Sequence, residues 1–184
     1  MPNKLHKHII LIGFPCSGKS HIGAILADKL CVGFVDLDHK LTELHTEQTN
    51  NNHSCRDIMN FYGEAYFRQL ETRTLTKVMQ QSPHIIALGG GSVMAQANRD
   101  LIKDSCIVHI TADKAILQQR LLSSGIPAYF NKDKSIKQNI EELLDERTTT
   151  YQSLASLSCD NSGDIGDTLD NLINNINMME LAHD

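Results

Sequence analysis

The run Gly13-Phe14-Pro15-Cys16-Ser17-Gly18-Lys19-Ser20 fits the pattern G-x-x-x-x-G-K-[ST], a loop built to hold phosphate. Ahead of it, Ile9-Ile10-Leu11-Ile12 reads as a buried strand, and behind it Ile22, Ile25, Leu26 and Leu30 recur at helical spacing. The order is therefore strand, loop, helix, which is the context the pattern needs. Its two glycines let successive N–H groups turn inward, and the helix presents its positive end to the same point. Lys19 is then placed for the β- and γ-phosphates, and the Ser20 hydroxyl for Mg²⁺. A chance match has a probability below about 1% in a chain of this length. The stretch predicts nucleotide binding.

Outward from that loop, strands and helices alternate. The first strand is expected over residues 8–12 and the first helix over 18–30. Gly33-Phe34-Val35 reads as a short strand ending in Asp36-Leu37-Asp38. Two acids two residues apart on extended chain share a face, at a strand end where α/β proteins bind ligands. One suits Mg²⁺ and the other a proton or hydrogen bond from an alcohol. A solvated turn with incidental acids is the plain alternative. The polar run from Thr46 to His53 lacks periodicity and reads as a mobile surface loop.

Helical pattern resumes near Arg56 and runs past Gly63 to Val78, with Glu64, Arg68 and Glu71 on one face. That trio is either a surface ion-pair ladder or a guanidinium held by Glu71 and aimed at an anion. Ile85-Ile86-Ala87-Leu88 is a third strand, and Gly89-Gly90-Gly91 after it leaves main-chain N–H groups open to a ligand. Ser92 is placed to cap the next helix. A fourth strand covers residues 106–110, and a helix from Asp113 carries Ile116, Leu117, Arg120 and Leu121. His109 in that strand reads as structural. Residues 123–134 break the pattern and form a candidate lid, although an ordinary loop has the same composition. A helix from Ser135 puts Arg147 on its apolar stripe, where a guanidinium needs a partner or a ligand. Leu154 to Ser158 suggests a last strand, and Leu169, Leu172, Ile173 and Ile176 a closing helix. The alternation predicts one α/β domain, residues 1–184, around a parallel sheet.

The totals narrow the classes. A net charge of −5 argues against a sequence-independent grip on nucleic acid. No apolar stretch approaches membrane-spanning length or a secretory signal. Five scattered cysteines with no C-x-x-C pair make a poor disulfide framework or zinc site and suit a reducing cytosol. Cys16, beside a helix N-terminus, is expected to be alkylation-sensitive and protected by nucleotide. The nine histidines form no recognisable ligand set.

In order and spacing, GFPCSGKS, DLD, GEAYFRQLE, LGGGSV and ERTTTY resemble the shikimate kinases, and the resemblance covers nearly the whole chain. It implies a P-loop NTPase three-layer fold of the nucleoside-monophosphate-kinase type. A central five-stranded parallel sheet has helices on both faces, a substrate-binding helical segment over about 39–80 and a lid over about 123–134. It implies transfer of the ATP γ-phosphate to the 3-hydroxyl of shikimate with Mg²⁺, by a cytoplasmic monomer. Gly13, Cys16, Ser17, Gly18, Lys19, Ser20 and His21 would bind ATP, with Arg120 packed on adenine. Ser20 and Asp36 would hold the metal. Asp38 would bind the shikimate hydroxyls and act as base beside Lys19. Arg68, oriented by Glu71, and Arg147 would clasp the carboxylate, and Gly89, Gly90 and Gly91 would line the substrate.

One departure stands out. The family lid carries Arg-Pro, and its arginine stabilises the transferred phosphoryl group; here the pair is Ile126-Pro127. Loss of such an arginine costs about 10³-fold or more in rate in related systems. Lys132 or Lys134 is a candidate replacement, as a point charge only. A kinase for another small carboxylated alcohol and a weak ligand-binding relative are the competing readings. On the latter, Ile126→Arg raises the rate sharply.

Overall fold

The computed structural model describes residues 5–124, 127 and 130–181. Its five strands, β1 (Ile9–Ile12), β2 (Phe34–Asp36), β3 (Ile85–Ala87), β4 (Cys106–Thr111) and β5 (Leu157–Asp160), form one parallel sheet in the order β2-β3-β1-β4-β5. The order puts β1 at the centre. Every residue of β1 is buried, as expected for a central strand covered on both faces. Side chains alternate with the two-residue period. Ile9 and Leu11 pack with α1 (Lys19–Leu30) and α7 (Ile165–Leu181), through Ile22, Leu26, Leu169, Leu172 and Ile176. Ile10 and Ile12 face the opposite layer, where Leu75, Val78, Ile102 and Tyr151 come from α3 (Cys55–Met79), α4 (Gln96–Ile102) and α6 (Ile136–Leu154). This is the three-layer arrangement. The remaining helices are α2 (Leu37–Thr49) and α5 (Lys114–Ser124).

β1 pairs with β3 on one side and β4 on the other, although β2 follows β1 in sequence. The loops after β1 and β3 therefore open side by side at the carboxyl edge, the position where such sheets bind ligands.

Four expectations need correction. Asp36 ends β2 but also caps α2, accepting from the His39 N–H at 3.1 Å, so Asp38 lies in a first helical turn and not on extended chain. The polar run from Thr46 begins inside α2: the Thr46 and Thr49 hydroxyls donate to the Thr42 and His45 carbonyls, and Asn50 closes the helix in the left-handed conformation. Such back-bonding makes a polar sequence compatible with helix and removes the periodicity that would reveal it. Ser92 is buried in a 3₁₀ turn, Ser92–Met94, and makes no cap. Leu154 completes α6, and the last strand starts later, at Leu157.

The expected helix through Gly63 is interrupted there: Gly63 has φ 82° and ψ 164° inside α3. Of the expected lid, residues 125, 126, 128 and 129 lie outside the described residues, so Ile126 has no structural account. Among the described residues no helix is long and apolar enough to cross a membrane.

Candidate active site

The loop after β1 is held by geometry that only glycine accepts. Gly18 has φ 100°, and a Cβ there would lie 2.1 Å from the Asn161 side chain. Asn161 closes the loop from behind, donating to the Ser17 carbonyl at 2.8 Å. Arg120 on α5 braces the same turn, donating to the Cys16 and Ser17 carbonyls at 3.3 Å and to the Asn161 carbonyl at 3.0 Å. The sequence expectation put Arg120 on adenine; its geometry here is against the loop.

Lys19, in the first turn of α1, is buried and donates from Nζ to the Gly13 and Phe14 carbonyls, both at 2.9 Å. Burial brings its pKa down to about 8, against the opposing pull of Asp38, Cys16 and Asp36. The next residue, Ser20, donates its hydroxyl to the Asp36 carboxylate. His21 is exposed on the outer face of α1.

Across from the loop lies a cleft of about 330 Å³. Cys16, Lys19, Ser20, Asp36, Asp38, Arg68, Glu71, Gly89, Gly90 and Gly91 line it, so most of the dispersed candidates meet in one place. The glycines after β3 act here by lacking a side chain. A Cβ on Gly89 would stand 2.8 Å from the Asp38 carboxylate, and one on Gly91 would stand 2.9 Å from the Arg68 guanidinium. Their absence lets an acid and a cation approach the same strand end.

Asp38 has its pKa raised to about 6, first by burial and then by repulsion from Asp36 and Glu71, with Lys19 and Arg68 opposing. Arg68 is fixed by Glu71: Nη1 donates to its carboxylate at 3.0 Å. Glu71 is 1% exposed and also accepts from Ser92 Oγ at 2.6 Å and, more weakly, from Asn98 Nδ2 at 3.5 Å. Of the two sequence alternatives for this trio, the geometry is that of a positioned guanidinium, with only Glu64 on the solvent side at 3.6 Å. Arg147 stands one layer back. It is buried on α6 and donates to the Gly90 carbonyl at 3.3 Å, and it is not among the described lining residues. Tyr151, one turn further along α6, donates to the same carbonyl and packs on His109 at 5.0 Å between ring centres.

Several residues of the site carried no signal in the sequence. Ser92 acts as a donor to Glu71, Asn98 donates to the Ser92 carbonyl at 2.8 Å and more weakly to Glu71, and Asn161 braces the loop. Cys55, Arg56 and Met59 line the cleft because the start of α3 turns toward it. The Cys55 thiol donates to the Asp38 carbonyl at 3.5 Å, and burial, with the nearby acids, pushes its pKa up to about 12. A capping box at Ser54 and Asp57 marks that helix start. It was the one available hint.

A phosphate loop on a parallel sheet of this order, facing a cleft with an acid, a lysine and a braced arginine, defines an ATP-dependent small-molecule kinase. The family model for shikimate kinase matches residues 15–177. The chain is 32% identical over 182 residues to a shikimate kinase of Chlorobium phaeobacteroides, covering 95% of this chain and 93% of that one. It is 34% identical to the shikimate kinase of Chlorobaculum tepidum, over 94% and 92% of the two chains. Among solved structures, shikimate kinase from Acinetobacter baumannii in complex with shikimate superposes with a TM-score of 0.83 at 25% identity, over 95% of each chain. This chain belongs to the shikimate kinase family.

Proposed function

We propose that this chain transfers the γ-phosphoryl group of ATP to the 3-hydroxyl of shikimate, giving shikimate 3-phosphate and ADP. The observation that carries this reading is the meeting of Lys19, Asp38 and the Glu71-braced Arg68 in one cleft. Lys19 exchanges the Gly13 and Phe14 carbonyls for β- and γ-phosphate oxygens, which restore its full charge. Arg68 receives the shikimate carboxylate through paired N–H donors, and Arg147 fixes the Gly90 carbonyl behind it. Asp38 accepts the proton of the attacking hydroxyl. The new O–P bond forms as the bond from the γ-phosphorus to the β-γ bridging oxygen breaks, and ADP leaves with that electron pair.

Mg²⁺ fits the residues present. Ser20 and Asp36 are hard oxygen donors already hydrogen-bonded to each other, and among the described residues no group of three or more acids, histidines or cysteines is placed to hold a metal ion. That small donor set suits an ion that keeps most of its shell for water and phosphate. When bound, the ion would neutralise charge on the β- and γ-phosphates.

The test is a coupled assay for shikimate-dependent ADP release, run beside a panel of other small hydroxy acids. Release with shikimate, abolished without Mg²⁺, is the expected outcome. Folded, ATP-binding protein with no such release would overturn the reading. The second reading, a weak catalyst, rests on the uncharged Ile126; it expects shikimate to bind normally while turnover is nearly absent.

A further inference from the structure

We propose that Ser92 is a positioning residue for the acceptor: through Glu71 it sets the guanidinium of Arg68, and with it the preference for an acceptor that carries a carboxylate. This deepens the shikimate reading above and rests on it. Ser92 is not among the described lining residues of the cleft, so any part it has in binding goes through another group.

The first observation is the partner its hydroxyl takes. Ser92 is fully buried, and a buried hydroxyl in a helix or turn is commonly satisfied by a carbonyl three or four residues back. Thr74 and Thr76 do this in α3, donating to the Leu70 and Thr72 carbonyls at 2.7 and 2.8 Å. Ser92 Oγ instead donates to Glu71 Oε1 at 2.6 Å, across 21 residues of sequence. The other oxygen, Glu71 Oε2, accepts from Arg68 Nη1 at 3.0 Å. A glutamate side chain turns about several single bonds, and one hydrogen bond leaves its carboxylate free to swing. Ser92 on one oxygen and Arg68 on the other fix its plane.

The second observation is that the hydroxyl is itself held from behind. The Ser92 N–H donates to the Gly89 carbonyl at 3.0 Å, and its own carbonyl accepts from the fully buried Asn98 at 2.8 Å. Arg99 Nη1 donates to the next two carbonyls, those of Val93 and Met94, both at 2.8 Å. The turn after β3 thus brings two neighbouring residues to one ion pair. Ser92 reaches Glu71, and Gly91 leaves room for Arg68, whose guanidinium would stand 2.9 Å from a Cβ there. The Glu71 side chain is 1% exposed and that of Arg68 29%, so the brace is dry while the guanidinium it holds opens to the cleft. A hydrogen bond to a carboxylate in so dry a place keeps its strength, because water does not compete for it.

Ser92→Ala and Ser92→Cys test this in the full chain. Each is titrated calorimetrically with shikimate and with shikimate methyl ester, which keeps the ring and hydroxyls and lacks the charge. Ser92→Ala should weaken shikimate about tenfold and leave the ester within about threefold, so the preference for the acid falls. Ser92→Cys, with a weak S–H donor, should lie between the parent and Ser92→Ala. In the kinetic assay the shikimate KM should rise by the same factor, with kcat and the MgATP KM within about threefold. A general loosening of the turn would weaken acid and ester alike, and that result overturns the proposal. So does a Ser92→Ala variant that binds shikimate as the parent does. If Ser92→Ala does not fold, Ser92→Cys decides alone, and a preference for the acid equal to the parent's overturns the proposal. Unmutated protein that prefers shikimate to the ester and never phosphorylates it sinks the proposed reaction, while the same titrations still decide the role of Ser92. Unmutated protein with no such preference sinks the role of Ser92 whatever its turnover.

Discussion

The two walls of the cleft are built on different principles. The nucleotide wall is main chain: a loop springing from the fully buried β1, closed by Gly18 at positive φ and tied from behind by Asn161 and Arg120. The acceptor wall is side chain. Asp38 comes from α2, Arg68 and Glu71 from α3, and Ser92 from the turn after β3, over a small separate core of Leu41, Leu44, Ile58, Phe67 and Leu70. Phosphate is the same in every nucleotide, so oriented N–H groups on a rigid sheet serve it. An acceptor of particular shape needs groups placed one by one. The second wall therefore carries more of the specificity, on a thinner core.

The largest effect should come from the nucleotide wall. Lys19→Ala removes the one ammonium buried in the loop and is expected to cost about 10³-fold in kcat, while the melting temperature holds. Steady-state kinetics beside a thermal melt checks this. In the unmutated protein, Lys19 loses its proton as pH rises through about 8, so affinity for ATP should fall above that pH. A coincident collapse of stability in Lys19→Ala would mean that the loop's shape depends on the amine, and the contrast between the walls would fail.

Next comes Glu71, whose loss should damage fold and site together. Truncation to alanine leaves Ser92 Oγ, Asn98 Nδ2 and Arg68 Nη1 around a hole in a buried place. The expected cost is about 3 kcal/mol in urea unfolding, with a raised shikimate KM. Glu71→Gln keeps the size and an acceptor oxygen and should lose less stability, while still weakening the hold on Arg68. Equal stability losses in the two variants would show that charge and not shape holds this wall.

Asp38 separates stability from activity by pH. Folding raises its pKa from 3.8 to about 6, so between those values the folded protein holds more protons than the unfolded chain. Stability from this group therefore falls as pH rises toward 6, and the full cost of the charged form is present above it. Asp38→Asn should raise the melting temperature at pH 8, lose that gain below pH 4 and abolish turnover at both. Conversely, kcat/KM of the unmutated protein should fall as pH drops through about 6, because the protonated acid no longer accepts the hydroxyl proton.

The same division explains what could be read in the chain. The nucleotide wall is contiguous in sequence, so its strand, loop and helix were legible together. The acceptor wall was legible where its residues fall in recurring short strings, as with Asp38, Arg68 with Glu71, and Gly89 to Gly91. It was hidden where function depends on a contact across the fold: Ser92 reads as a cap and is a donor to Glu71. The end of helix α2, from Thr46 to Thr49, reads as loop because it is written in threonine, glutamate and glutamine, whose backbone satisfaction has no apolar period. The apolar stripe says only that Arg147 needs a partner or a ligand, and its place on the substrate carboxylate comes from the family resemblance. Its observed hydrogen bond to the Gly90 carbonyl satisfies that need equally well, and periodicity has no means to distinguish the two.

The smallest effect tests whether the walls are separable. Gly63 interrupts α3 between the half carrying Cys55, Arg56 and Met59 and the half carrying Arg68 and Glu71. A Cβ built there meets nothing within 4 Å, so any penalty for Gly63→Ala comes from the backbone at φ 82° and ψ 164°, a region nearly reserved for glycine. About 1–2 kcal/mol is expected. The chain can relieve that strain by shifting the angle between the two halves, which moves the start of α3 relative to Arg68 and leaves the loop after β1 alone. The shikimate KM should then change while MgATP affinity stays the same, as measured by titration of each ligand in turn. Matching losses for both ligands would mean that the break transmits strain through the sheet, and the acceptor wall would no longer count as an independent unit on the nucleotide frame.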